Sequence, residues 1–216
     1  QIGGVAAGAT DAQLRNTYAG LWSNIYLNVI PNANAMIKKA ESTNSPHYSG
    51  IAKVVIAYNL GLGTAVWENI AYSTADNQLS NLSPAYDSQE DIYKSIQKLL
   101  DEAIVELSEP TSISKPATDD IVFKGVIANW VKTAYTLKAR YLLHTAKKTG
   151  AASYDAIADA LSKGFKSNAD DFQLVFTDKN FSPLYATALA NNTGNVTTTF
   201  SATYMNMMNG TVQEIV

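Results

Sequence analysis

Apolar residues recur along most of the chain at steps of three and four, the spacing that places side chains on one face of an α-helix. The clearest stripe runs from Ile92 to Leu107. Ser88 precedes this stripe and Asp91 follows three residues later, which resembles a capping box. In that arrangement side-chain oxygens accept hydrogen bonds from the unpaired backbone N–H groups of a helix start. These features predict a helix over 88–108.

The same periodicity predicts four more helices, and local signals set their ends. These helices cover 11–41, 48–62, 122–148 and 154–165. Pro31 should kink the first, because proline lacks a backbone N–H and its ring crowds the preceding turn. Gly61 and Gly63 should weaken and end the second. Asp119 or Asp120 should cap the helix over 122–148.

Three stretches lack helical periodicity. Residues 64–86 form a predicted loop of roughly 20 residues, a length that is more often functional than accidental in a compact domain. Residues 172–177 alternate weakly between apolar and polar, which predicts a short strand. Residues 178–216 are rich in Asn, Thr and Ser, with one short helix predicted at 202–209.

Helices of this length with polar connections pack as antiparallel pairs. The predicted fold class is therefore all-α, with tetratricopeptide-like packed helix pairs and long irregular loops. No sequence repeat of about 34 residues is visible, so a plain helix bundle is the alternative. The chain has 216 residues, enough to bury a sizeable core, and we expect a single helical domain over 1–216.

Composition excludes several classes of function. The chain has 16 basic and 19 acidic side chains and a net charge of −3, so it lacks the basic surface of a nucleic-acid-binding protein. It contains no cysteine, which excludes a disulfide, a thiolate metal site and a cysteine nucleophile within this segment. No uninterrupted run of about 18 apolar residues predicts a membrane-spanning helix.

No catalytic constellation emerges from the sequence. His47 and His144 are far apart, and neither lies in a zinc-binding helix motif. Glu102 and Glu106 share a helix face, but exposed acidic pairs at this spacing usually form a solvated surface rather than a glycosidase dyad. We therefore predict no catalytic residue, no metal ion and no cofactor. A helical hydrolase, whose carboxylates only the fold brings together, is the enzymatic alternative.

The predicted loop carries the candidate ligand-binding residues. Its tryptophan has an amide, a carboxylate and a tyrosine nearby, and sugar sites use an aromatic face for C–H groups and polar groups for hydroxyls. The candidates are Trp67, Glu68, Asn69, Tyr72, Asp76 and Gln78. For Trp67, a buried anchor of the loop is the alternative. Trp22 and Trp130 lie on helical stripes and are predicted to be core residues.

Two long segments resemble motifs of a known family. Residues 84–107, PAYDSQEDIYKSIQKLLDEAIVEL, and residues 120–143, DIVFKGVIANWVKTAYTLKARYLL, are similar to two helical segments of the SusD/RagB family. Residues 30–34 upstream and 182–185 downstream fit the same order of motifs. Where the family usually has Gly-Asp-x-Pro-Tyr, residues 63–67 read Gly-Thr-Ala-Val-Trp, which indicates a divergent member.

Members of this family are nutrient-binding lipoproteins of the Bacteroidetes outer membrane. The resemblance implies a non-catalytic cell-surface protein that captures oligosaccharide or peptide for import through a TonB-dependent, SusC-type transporter. It also implies a SusD-like helical lobe of a larger chain, held at the membrane only by an N-terminal lipid anchor outside this segment. The alternative is a helical-repeat scaffold that binds a protein partner.

Overall fold

Helices dominate the computed structural model, which describes residues 18–75, 81, 83–192, 205–206 and 208–209. In that part of the chain the helices are α1 (residues 18–42), α2 (Pro46–Trp67), α3 (Gln89–Leu107), α4 (Ile127–Thr149), α5 (Ala152–Lys163) and α6 (Pro183–Asn192). A 3₁₀ turn, Asn168–Asp170, follows α5. The described residues pair in isolated bridges rather than strands. The prediction of an all-α fold is therefore confirmed.

The chain forms two compact units, one up to Gln173 and the other from Leu174 onwards. In the second unit, the Ser182 hydroxyl accepts the backbone N–H of Tyr185 at 3.1 Å and caps the first turn of α6. The strand predicted over 172–177 is wrong, because that stretch is irregular and pairs only in one bridge that involves Thr177. The single domain expected over 1–216 stays a prediction.

Consecutive helices of the first unit pack against each other, which is the arrangement of tetratricopeptide-like helix pairs. Helix α2 packs between α1 and α3, α3 also packs on α4, and α4 packs on α5. The largest fully buried apolar side chains come from α1, α2, α3 and the segment after α2: Ile25, Val54, Ile56, Leu60, Ile70, Ile92, Ile96 and Leu100. Full burial of each such side chain contributes about 1.5–3 kcal/mol.

Helix α2 is the central core helix. Among the described residues it is the one segment long and apolar enough to cross a membrane by length and composition, although the sequence pattern predicted none. However, 72% of its most apolar window is buried inside the protein. Burial against neighbouring helices accounts for this apolar composition, so it is weak evidence for a membrane span.

Helix α2 does not end at Gly61 and Gly63, where the sequence predicted its end. It continues to Trp67, and both glycines lie within it where a neighbour approaches closely. A Cβ atom added to Gly61 would lie 2.2 Å from the Tyr141 hydroxyl oxygen, and one added to Gly63 would lie 3.1 Å from Ile70 Cδ1. The glycines permit close packing, and Trp67 is the last residue of a helix rather than part of a loop.

Helix α1 accommodates its proline without ending. A π-helical segment, Asn24–Val29, comes directly before the α-helical segment Ile30–Ser42, whose second residue is Pro31. Proline cannot donate to the carbonyl one turn earlier, and its ring needs room there. A wider π-turn supplies that room. The distortion expected at Pro31 thus takes this form, while the predicted helix start at residue 11 lies outside the described residues.

Helix α4 begins at Ile127 rather than near residue 122, and Asp120 does not cap it. Instead the buried Asp120 carboxylate accepts the backbone N–H groups of residues 122, 123 and 125 at 3.0–3.1 Å. It also accepts the indole N–H of Trp130 at 2.8 Å. Burial alone would raise the pKa of Asp120, but these hydrogen bonds outweigh it and lower the pKa. Helix α5, Ala152–Lys163, begins and ends two residues earlier than the predicted range of 154–165.

Candidate functional site

Four aromatic side chains meet at the C-terminal end of α2, and we call them the aromatic cluster: Trp22, Tyr26, Trp67 and Tyr86. The ring of Trp67 lies 5.0 Å from that of Trp22, and the two planes are nearly perpendicular at 89°. The Trp22 ring lies 4.4 Å from Tyr26 and 6.3 Å from Tyr86. These are the tilted and edge-to-face geometries that aromatic pairs prefer.

The aromatic cluster has a buried side and an exposed side. Trp22, Tyr26 and Trp67 are half-buried and pack against the main core, whereas Tyr86 is 65% exposed. The Tyr26 hydroxyl donates to the backbone carbonyl of Ala71 at 2.8 Å. Burial raises the pKa of Tyr26 to about 12, so its hydroxyl remains protonated near neutral pH. The cluster therefore packs on the core on one side, and its most exposed ring on the other side is that of Tyr86.

The segment between Trp67 and α3 is tied down at its base by Asp87. An antiparallel bridge joins Ile70 to Asp87, with N–H···O distances of 3.2 and 3.0 Å. The Asp87 carboxylate also accepts the backbone N–H groups of Tyr72 at 2.9 Å and Ser73 at 2.7 Å. Burial would raise the pKa of Asp87, but these bonds and one from the Ser73 hydroxyl lower it overall. Tyr86 is held in place because it directly precedes this anchor.

Four of the six candidate residues lie in the described part of the chain, and the structure gives them different surroundings. Trp67 lies in the aromatic cluster, and the adjacent Glu68 is exposed, with a positive φ of 61° at the end of α2. The side-chain oxygen of Asn69 instead accepts the backbone N–H of Gln89 at 3.1 Å, at the start of α3. Tyr72 is half-buried against the core. Asp76 and Gln78 lie outside the described residues, so their role stays a prediction.

Sequence reasoning missed three members of the cluster, Trp22, Tyr26 and Tyr86. Trp22 was expected in the core and does pack against it, but it is only half-buried, whereas Trp130 is buried as expected. Tyr86 carried no signal of its own. The one available signal was the spacing of Trp22 and Tyr26, which stand four residues apart and so share a helix face.

No catalytic acid–base arrangement forms at the residues considered for chemistry. Glu102 and Glu106 both bind Lys53, at 2.9 and 2.6 Å. The prediction that Glu106 lies on a solvated surface is wrong, because its side chain is only 23% exposed. His47 is buried, with Nε2 2.9 Å from a backbone carbonyl oxygen. Within the described ranges, no three His, Asp or Glu side chains group closely enough to hold a metal ion.

His144, on α4, has a local partner rather than a catalytic one. Its Nδ1 atom lies 3.1 Å from the Tyr93 hydroxyl oxygen. Burial and the nearby positive charge of Arg140 lower the pKa of His144, which keeps its ring neutral near pH 7. A neutral ring packed edge-on to Tyr93 and Tyr141 contributes to the contact between α3 and α4.

Comparisons with known proteins agree with this helical architecture. A SusD/RagB family protein from Bacteroides thetaiotaomicron is 27% identical, with a TM-score of 0.70, and the match covers 83% of this chain and 37% of that one. A SusD homologue from Bacteroides uniformis is 25% identical, with a TM-score of 0.74, and the match covers 89% and 40%. A chitin-binding protein is 27% identical, with a TM-score of 0.63, and the match covers 72% and 34%.

The chain spans between about a third and two fifths of the length of these solved relatives. No curated protein matches it. Residues 8–212 match the model of the SusD-like proteins described as starch-binding and associating with the outer membrane. This match covers nearly the whole chain and agrees with the two long motifs at 84–107 and 120–143. The chain belongs to the SusD-like family.

Proposed function

We propose that this chain binds glycan at the aromatic cluster and performs no chemistry on it. The observation that carries the proposal is the open side of the cluster, where half-buried Trp67 and Trp22 stand beside the largely exposed Tyr86. Exposed aromatic rings held by a rigid scaffold suit the C–H-rich faces of pyranose rings. The exposed carboxylate of Glu68, next to Trp67, is suited to accept hydrogen bonds from sugar hydroxyls.

Preorganisation supports this proposal. Trp67 is fixed by α2, Trp22 by α1, and Tyr86 by its neighbour Asp87. Rings already held in place lose little conformational freedom when a ligand binds, so more of the contact energy is available as affinity.

The family description and one solved relative support this ligand class. The family description names starch, and one solved relative is named as chitin-binding. Maltooligosaccharides and chitooligosaccharides are therefore the first probes, and a peptide library tests the alternative nutrient. Release of shorter sugars during these titrations would instead support the helical hydrolase.

Replacement of Trp67 tests the site. We expect Trp67→Ala to weaken glycan binding by about 2 kcal/mol, roughly thirtyfold, as expected for a central aromatic contact. The matched control is Tyr154→Ala, which removes a 57% exposed aromatic ring from α5 and should leave affinity unchanged. Isothermal titration calorimetry measures both. Equal affinity of the wild type and the Trp67 variant would exclude the aromatic cluster as the site.

Delivery to a transporter completes the proposal. The family associates with the outer membrane. We propose that the whole protein is a surface-exposed lipoprotein, anchored through an N-terminal lipid outside this segment, that passes its ligand to a TonB-dependent SusC-type transporter. Purification of the tagged full-length protein from detergent-solubilised outer membranes should recover that transporter. Recovery of the protein alone would contradict the partnership.

A protein-binding scaffold is the second candidate function. The second unit exposes several large apolar side chains, including Val175 and Leu184, and exposed apolar surface often marks an interface. Under this alternative, glycans would not bind and a soluble protein partner would. The same pull-down, performed on the soluble fraction, separates the two candidates.

A further inference from the structure

A pocket lies between the first half of α3 and the end of α4, where the start of one helix faces the end of the other. Its volume is about 650 Å³, within the range of about 300–1,000 Å³ that is typical of small-molecule sites. We call it the α3–α4 pocket, and its lining includes Gln89, Glu90, Tyr93, Lys94, His144 and Lys148. None of the four residues of the aromatic cluster lines it, so it is a different site.

Three rings form one wall of the α3–α4 pocket. The Tyr93 ring lies 6.2 Å from that of Tyr141 and 6.0 Å from that of His144, and the last two rings are perpendicular at 5.5 Å. Tyr141 is buried, and its hydroxyl donates to the backbone carbonyl of Tyr58 at 3.2 Å. Tyr93 is half-buried and His144 is exposed, so a ligand in the pocket can contact both. A fixed wall of rings suits a ligand that is itself a ring.

His144 offers this pocket a hydrogen-bond donor. Its Nδ1 atom lies 3.1 Å from the Tyr93 hydroxyl oxygen. We assign the hydroxyl as the donor of this bond, because Nδ1 is its one hydrogen-bond partner in the described part of the chain. A neutral imidazole has one N–H group, so its proton then lies on Nε2. Because the ring is exposed and lines the pocket, Nε2–H is available to a ligand that accepts hydrogen bonds.

Two lysines add further donors that a ligand can reach. The side chains of Lys94 and Lys148 are 66% and 75% exposed. Glu90, the one carboxylate in the lining, already binds both, with its Oε1 atom 3.0 Å from Lys94 Nζ. An ammonium group has three N–H donors, so each lysine retains at least one for a ligand. The accessible polar groups of the pocket are therefore mainly donors.

The charge balance at the α3–α4 pocket favours an anion, although the whole chain has a net charge of −3. Lys94, Lys148 and Arg140 supply three positive charges, whereas Glu90 and Asp91, which also binds Lys94, supply two negative charges. Burial lowers the pKa of His144, and the charge of Arg140 lowers it further, which indicates that this charge reaches the wall of rings. Positive charge in a partly enclosed pocket attracts anions.

We infer that the α3–α4 pocket binds a carboxylate carried by a ring. The carboxylate accepts from Lys148 and from Nε2 of His144, and the ring packs against Tyr93. His144 and Lys148 stand four residues apart on α4 and so share a face of the helix, which lets one carboxylate meet both. Either an acidic sugar or an aromatic acid carries this group. The inference goes beyond glycan binding at the aromatic cluster, because it concerns a different site and a charged ligand.

Titration in a Trp67→Ala background tests this inference independently of the aromatic cluster. Glucuronate and benzoate should bind saturably, and the tighter of the two identifies the source of the carboxylate. Glucose, a ring without charge, and acetate, a charge without a ring, should each bind about tenfold more weakly or not at all. Added sodium chloride should weaken binding of the carboxylates through screening. Failure of the proposed glycan site would appear only in the wild-type oligosaccharide titration.

The two histidines of the chain give a site-specific signal for this titration. In ¹H–¹³C NMR spectra, the ring signals of His144 should shift along the binding curve of the carboxylate. The ring signals of His47 should stay fixed, because that side chain is buried and its Nε2 atom lies 2.9 Å from the backbone carbonyl oxygen of Glu109.

Pocket variants provide the matched test, with affinities measured by saturation-transfer NMR on the ligand. His144→Phe keeps a ring but removes the Nε2–H donor, and should weaken carboxylate binding by about tenfold. Lys148→Gln removes one exposed positive charge and should weaken it by about threefold to fivefold. The control, Lys98→Gln, makes the same charge change at a 79% exposed lysine of α3 outside the pocket lining, and should have no effect.

Four results would each overturn the inference. They are the absence of saturable binding by both carboxylates, binding of glucose or acetate as tight as that of the carboxylates, saturable binding that leaves the His144 signals unmoved, and unchanged affinity in both pocket variants. Circular dichroism melting of each variant checks that it is folded. If His144→Phe unfolds, the Lys148→Gln result decides.

Discussion

At the scale of single residues, Asp120 shows how one side chain can set where a helix begins. Its two carboxylate oxygens together accept four N–H groups, three from the following turn and one from Trp130. That turn includes Lys124 and Gly125 at positive φ angles of 55° and 84°. The sequence suggested an acidic cap in this region, but not that the same carboxylate also accepts the indole N–H of Trp130, ten residues away.

Asp120→Asn should destabilise the protein. The amide carries one acceptor oxygen in place of two, and its NH₂ group would face N–H donors. We expect a loss of about 2–3 kcal/mol in the free energy of unfolding, measured by urea denaturation. The control is Asp119→Asn, at an exposed carboxylate that accepts the Tyr48 hydroxyl at 2.6 Å, where the loss should stay below about 1 kcal/mol. Equal losses in the two variants would contradict this role of Asp120.

At the scale of elements, the glycines of α2 show what periodicity alone leaves undetermined. A glycine within a helical pattern is consistent with a helix end or with close approach of a neighbour, and the local sequence is the same in both cases. At Gly61 the neighbour is Tyr141, 80 residues away on α4. The apolar stripe predicted the existence of α2, but the packing of Tyr141 from α4 explains why a glycine stands at position 61 within it.

Two glycine substitutions should have opposite effects. Gly61→Ala would place a methyl group against the Tyr141 ring and should lower the free energy of unfolding by about 1–3 kcal/mol. Gly20→Ala, on α1, meets no atom within 4 Å and should raise it by about 0.5–1 kcal/mol, because alanine favours a helix. Thermal and urea unfolding measure both. If both substitutions destabilise the protein, the helix-propensity argument for Gly20→Ala is wrong. The contact argument for Gly61→Ala would still stand.

At the scale of the whole molecule, fold class and family could be predicted from the sequence, whereas the residues that make up the aromatic cluster could not. Steps of three and four in the apolar pattern predicted the fold class, and the two long motifs predicted the family. The aromatic cluster joins Trp22 to Trp67 and Tyr86, which lie 45 and 64 residues further along the chain. The aromatic cluster therefore depends on helix packing that no local pattern encodes.

The central claim is that glycan binds at the aromatic cluster, and the indole N–H signals of the three tryptophans test it most directly. In a ¹H–¹⁵N NMR titration with chitooligosaccharide or maltooligosaccharide, we expect the signals of Trp22 and Trp67 to shift with one binding curve. The signal of Trp130 should stay fixed, because its indole is buried and bonded to Asp120. Saturable binding of either sugar that leaves the Trp22 and Trp67 signals unmoved would contradict the account.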